Sequence, residues 1–136
     1  MIYVDTSLVI SYVDSKDPNH AKAERIVSSI NSERKVVSIL VLVELASVYS
    51  RAGLEKPLEL TLYSLELISA EVFEIDYNEV LRKAFIITPA FKMRTLDLLH
   101  IIACSSIKAN KFVTLDQEII SKANIILETL GIKIVA

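Results

Sequence analysis

The chain has 136 residues, 52% hydrophobic and 24% charged, with a formal net charge of −2. A single cysteine, Cys104, excludes an internal disulfide and a cysteine-rich zinc site, and the near-neutral charge excludes a strongly basic nucleic-acid binder. The length suits one domain with a sizeable core, and the charge-free runs fall far short of the ~20 residues that a membrane helix needs.

Only two glycines and three prolines predict short loops and many helices. Met1-Ile2-Tyr3-Val4-Asp5 has no basic segment ahead of an apolar run, so a cytoplasmic protein is expected. Ile2-Tyr3-Val4 reads as a short strand ending at Asp5. Thr6 or Ser7 can cap a helix running to about Val13. Asp17-Pro18-Asn19 is a turn signal, and His20 to Asn31 follows as a helix with Ala23, Ile26, Val27 and Ile30 on one face. Val36-Val37-Ser38 reads as a buried strand, Leu42 to Arg51 as a helix stopped by Gly53, and Pro57 opens a helix to about Ile68. Val72-Phe73-Glu74-Ile75 alternates like a strand. Asp76-Tyr77-Asn78-Glu79 has the form of a capping box, opening a helix that Pro89 closes. Thr95 is placed to cap a helix to about Asn110. Lys111 to Thr114 is a strand, Asp116 caps a helix ending at Leu130-Gly131, and Lys133-Ile134-Val135 is the last strand. Strands separated by helices imply an α/β fold: one domain over residues 1–136, about five mostly parallel strands, helices on both faces.

In such sheets ligands bind at the carboxyl ends of the strands. Asp5 and Asp116 lie just beyond two strands. Glu44 follows a third, in the first turns of the next helix, and Asp97 lies in the first turn of the helix opened by Thr95. Asp5, Asp97 and Asp116 are also explained as helix-terminal acids that complement the dipole. Glu44 is harder to explain so, because it interrupts the apolar run Ile39 to Ala46 and Arg51 is distant. Converged carboxylates repel unless a cation neutralises them, and hard oxygen donors without histidine or cysteine partners suit Mg²⁺ or Mn²⁺. The matching chemistry is phosphodiester hydrolysis. His100, near the face of Asp97, reads as a packed helix histidine or as an outer hydrogen-bonder. Cys104 reads as a small core residue. The two histidines lack zinc-hydrolase spacing, and the glycines cannot supply a phosphate-binding loop.

At these acids the sequence resembles the PIN-domain family, in particular the toxin subunits of VapBC-type toxin–antitoxin pairs. The matching blocks are the strand into Asp5-Thr6-Ser7, Ile39 to Ala46 around Glu44, Leu96-Asp97-Leu98-Leu99-His100-Ile101-Ile102-Ala103, and Phe112-Val113-Thr114-Leu115-Asp116. The resemblance implies a Mg²⁺- or Mn²⁺-dependent endoribonuclease acting on RNA. In it Asp5, Glu44, Asp97 and Asp116 form the catalytic, metal-holding centre: Asp5 and Asp97 are the firmest ligands, Asp116 binds directly or through water, and Glu44 also orients or activates water. Thr6 and Thr114 match supporting hydroxyl positions. A homodimer and a cognate antitoxin covering the groove are also implied. Lys92 and Arg94, just before Asp97, are the best candidates for meeting RNA phosphates; Lys16 and Arg51 are poorer ones. The competing expectation is a catalytically silent PIN-like module that binds RNA or protein. A phosphotransfer domain ranks lower, because the second acid of its site is absent near Asp5.

Overall fold

The computed structural model describes residues 1–136. Five strands form one fully parallel sheet, β1 (Ile2–Val4), β2 (Lys35–Val37), β3 (Ala70–Val72), β4 (Lys111–Val113) and β5 (Lys133–Val135), in the order β3-β2-β1-β4-β5. Eight helices surround it: α1 (Thr6–Val13), α2 (His20–Ser29), α3 (Ile39–Arg51), α4 (Pro57–Ile68), α5 (Tyr77–Phe91), α6 (Thr95–Ile107), α7 (Gln117–Ile120) and α8 (Ala123–Leu130).

Successive strand residues point to opposite faces. Ile2, Tyr3 and Val4 are nonetheless all fully buried, so both faces of the central strand are covered. Packing of α1 on α2, α3 and α4 forms one helical group, and α5 pairs with α6. The chain builds outward from β1 to β3, then returns to lay β4 and β5 on the other side. The carboxyl ends of β1 and β4 therefore flank the point where the strand order reverses.

Most expected elements form, and the departures have local causes. α3 begins at Ile39 rather than Leu42, with Ser38 in the extended N-cap position, so Glu44 sits in the second turn. The third strand is Ala70–Val72, not 72–75. Ser69 ends α4 in the left-handed conformation and turns the chain directly into the ladder, which closes with Phe73 N–H donating to the Val37 carbonyl at 2.9 Å. As an edge strand with an exposed side, β3 need not obey the alternation that suggests the later register. The expected final helix is split: the Ser121 hydroxyl donates to the Glu118 carbonyl at 2.7 Å, and α8 starts afresh after Lys122.

Pro89 does not close α5, which continues to Phe91. The carbonyl that Pro89 leaves without a donor belongs to Phe85, a residue 82% exposed, so solvent can take the place of the missing donor. Phe91 is fully buried, and that burial fixes the last turn before the segment carrying Arg94 and Asp97. Phe91→Ala should cost about 3–5 kcal/mol of stability by truncating this anchor; a urea midpoint unchanged from the wild type would refute the anchoring role.

Candidate active site

Asp5 is the first residue beyond β1. It occupies the N-cap position of α1, yet its side chain makes no capping bond. Its Oδ2 instead accepts from Ser7 Oγ at 2.8 Å and from Thr114 Oγ1 at 2.7 Å. Its N–H donates to the Val113 carbonyl at 3.0 Å, which ties the ends of β1 and β4 together. Burial pushes the Asp5 carboxyl above its ordinary range; His100 and the two hydroxyls oppose this, and Glu44 adds to it.

Glu44 reaches the same place from α3. Its Oε1 accepts from Thr6 Oγ1 at 2.8 Å and from His100 Nε2. Burial works against its ionisation, but His100 and Thr6 outweigh burial and hold the carboxyl below the usual range. Potential ligand atoms of Asp5, Glu44 and His100 all lie within 4.8 Å of one another.

Asp97, in the first turn of α6, is pushed above the ordinary aspartate range by burial and by the charges of Asp116 and Asp5, with Arg94 opposing. Arg94 Nη2 lies 3.1 Å from Asp97 Oδ2 and 3.2 Å from Asp116 Oδ2, and its Nε lies 2.9 Å from Glu118 Oε2. Asp116 also caps α7, its Oδ1 accepting from Glu118 N–H at 2.9 Å. The helix-capping role expected of this residue is therefore real, and its other oxygen still faces Arg94. Asp5 and Glu44 are thus in direct proximity, while Asp97 and Asp116 are joined through one guanidinium. The carboxylates present only oxygen donors, a set that could hold a hard divalent cation.

Both expected hydroxyls touch an acid, Thr6 through Glu44 and Thr114 through Asp5. Thr114 Oγ1 also accepts from Asp116 N–H at 2.9 Å, so one hydroxyl links two of the acids. Lys92 terminates α5 in the left-handed conformation and lines, with Arg94, Asp97, Glu118 and Lys122, a cleft of about 160 Å³. Arg94 is committed to three carboxylates. Arg51 donates to the Ser47 carbonyl at 3.3 Å, and Lys16 lies in the turn after α1.

The sequence profile of the PIN domain matches residues 2–125. The chain belongs to the PIN domain family. Its fold is similar to those of several solved toxin–antitoxin structures at low sequence identity. A VapBC2 structure from Rickettsia felis, bound to a DNA fragment from its promoter, aligns at 15% identity with a TM-score of 0.64, covering 99% of this chain and 98% of that one. VapC20 of Mycobacterium tuberculosis, described as a sarcin–ricin loop cleaving toxin, aligns at 15% identity with a TM-score of 0.68, covering 89% of this chain and 94% of that one. VapBC-1 from nontypeable Haemophilus influenzae aligns at 16% identity with a TM-score of 0.66, covering 99% and 97%. A comparison with curated proteins finds no match.

Sequence reasoning misses three contributors to this PIN-domain site. Ser7 reads only as a helix cap, yet it donates to Asp5 and accepts from Leu115 N–H at 3.1 Å. Glu118 is the third carboxylate on Arg94. Tyr3 carries a hydroxyl beneath the site, bonded to His100 Nδ1 at 2.9 Å. The only available signals are a second hydroxyl after Asp5, a second acid after Asp116 and a phenol in a strand otherwise aliphatic.

Because the fold raises the Asp97 pKa, its ionised form is disfavoured by folding at neutral pH. Asp97→Asn should therefore raise the Tm by about 1–3 °C at pH 7. The gain should vanish as the pH falls below about 4, where Asp97 is protonated both folded and unfolded. A lower Tm for the variant at pH 7 would contradict the strain assigned to this acid.

Proposed function

We propose that this PIN domain is a Mg²⁺- or Mn²⁺-dependent endoribonuclease, the toxin of a toxin–antitoxin pair. The observation that carries this is how the two inner carboxylates are held. At Asp5 and at Glu44, two donors converge on one oxygen, and the other oxygen has no protein partner. Neither free oxygen is among the sealed, unpartnered polar atoms, of which there is one, Ser106 Oγ. Neither is therefore fully sealed, which leaves each free to act as a ligand atom. Metal binding is further supported by the carboxylate oxygens of the site and by the raised Asp5 and Asp97 pKa values, set first by burial and then by neighbouring acids, which a bound cation would offset.

Asp5 and Asp97 would be the firmest ligands, and Asp116 would hold the ion directly or through water. A bound divalent ion would acidify a water and shield phosphate charge. Glu44, kept ionised by His100 and Thr6, is suited to orient the attacking water and to accept its proton. Thr6 and Thr114 fix the acids that they touch. Arg94 and Lys92 place positive charge at the mouth of the site, where an RNA phosphate would approach.

The toxin assignment draws on the VapBC likeness. An antitoxin and a second copy are the proposed partners. Support comes from apolar side chains left in water: Leu81, Phe85 and Ile86 on α5, and Leu58, Leu62 and Tyr63 on α4. No helix is long and apolar enough to cross a membrane, and the cytoplasm is the proposed location.

Fluorescently labelled single-stranded RNAs incubated with Mg²⁺, Mn²⁺ or EDTA test the activity. Cleavage is expected with either metal and is lost in EDTA, and Asp97→Asn should reduce it by about 100-fold or more. Cleavage that persists in EDTA, or at equal rate in the variant, would sink the assignment. Light scattering at high micromolar concentration should give a dimer mass; a monomer mass would remove the second copy from the proposal.

A further inference from the structure

A line of polar side chains runs through the core below the site. Ser38, Tyr3 and His100 are each at most 1% exposed. Ser38 Oγ lies 2.7 Å from the Tyr3 hydroxyl, which lies 2.9 Å from His100 Nδ1, and His100 Nε2 meets Glu44 Oε1. The Tyr3 ring is clamped between neighbours: stacked on Phe112 at 5.2 Å between centroids, and edge-on to His100 at 5.9 Å. Phenylalanine and aliphatic residues would fill this volume without the desolvation cost of three buried polar groups. Packing alone therefore does not account for the line.

The direction of the hydrogen bonds gives it a purpose. An ionised carboxylate can only accept, so the bond to Glu44 requires the hydrogen on His100 Nε2. In the neutral ring Nδ1 then accepts, the Tyr3 hydroxyl donates to it, and the Ser38 hydroxyl can donate to Tyr3. The lone pair on Nε2 is consumed. The cluster of Asp5, Glu44 and His100 resembles a metal-binding trio by distance, but its histidine faces the acid with a proton.

We propose that His100, oriented by Tyr3, is a positioning residue for Glu44 and not a metal ligand. This rests on the reading of Glu44 as part of a metal-dependent nuclease centre. His100 comes from α6 and Thr6 from α1, and both donate to the same oxygen, Oε1. Two donors on one oxygen fix the carboxylate plane and aim the other oxygen at the site. Tyr3 holds the ring so that the proton stays on the Glu44 side. The polar line carries the rigidity of the central strand to a side chain on α3.

The test compares wild type, His100→Ala, His100→Gln and Tyr3→Phe in steady-state RNA cleavage, with Mn²⁺ affinity of the RNA-free proteins measured by electron paramagnetic resonance. Glutamine can present an amide donor near the Nε2 position, and Tyr3→Phe removes a single oxygen. His100→Ala should lower kcat about tenfold or more while leaving KM and the Mn²⁺ dissociation constant within about twofold. His100→Gln should restore most of the loss, and Tyr3→Phe should lower kcat several-fold, at temperatures where all variants are folded. Nitrogen-15 spectra should show the His100 ring with its proton on Nε2, and this remains so when Mn²⁺ is replaced by diamagnetic Mg²⁺. A tenfold loss of Mn²⁺ affinity in His100→Ala would make His100 a ligand and overturn the proposal while sparing the nuclease. Full activity in His100→Ala would overturn it too. If that variant does not fold, a wild-type kcat in Tyr3→Phe overturns the proposal in its place. No cleavage by wild-type protein that binds Mn²⁺ overturns the nuclease reading and this proposal together.

Discussion

Asp5 is a carboxylate with almost no access to water, held at the carboxyl end of the central strand by two hydroxyls. A charge so placed is tolerated only where donors and a counter-charge are built around it. The surrounding architecture supplies the donors from two directions: Ser7 from the first turn of α1 and Thr114 from beyond β4. Because β1 and β4 are neighbours only through the reversal of strand order, the topology of the whole sheet is a condition for satisfying this one side chain. Glu44 repeats the arrangement on the other flank, with Thr6 and His100 as its donors.

Arg94 sets the charge balance on the outer side. Its guanidinium reaches Asp97, Asp116 and Glu118 from a position that is itself largely in water. Exposed ion pairs contribute little to stability, so its effect is better understood as local neutralisation of crowded acids. The inner pair has no such cation. It relies on hydrogen bonds and on His100, which explains why Asp5 is left with a raised pKa and Glu44 with a lowered one, although they lie close together. Cys104, by contrast, is a core residue as its sequence context suggests: burial pushes its thiol up to about 12, far from reactivity at neutral pH.

Much of this is legible in the sequence. Short β-rich runs alternating with helical ones lead to the parallel sheet, and Asp5 and Asp116 stand just beyond strand ends as read, while the adjacency of β1 and β4 is not legible. Asp76 caps α5 through the backbone N–H groups of Asn78 and Glu79, as its spacing suggests. The failures come where burial gives no periodic signal. The third strand lies at an edge, so its pattern points to the wrong register. Pro89 reads as a stop because its missing donor matters only if the orphaned carbonyl is buried, and exposure of Phe85 is a tertiary fact. Tyr3, Ser7 and Ser38 are ordinary residues until the sheet places them against partners dozens of positions away. The ion pairs of Arg94 with Asp116 and Glu118 are likewise invisible until α6 and α7 are side by side.

The long reach of the Asp5 tether bears on how such a molecule comes into being on the ribosome. Asp5 and Thr114 are separated by 109 positions, and β1 finds its second neighbour only when β4 has been made. Local helix pairs such as α1 with α2 and α3 with α4 can form early, since they need only nearby chain. The acidic centre cannot, because one side of Asp5 stays unpaired until Thr114 emerges. The centre is thus among the last parts of the fold that the chain can complete, after the local helix pairs around it.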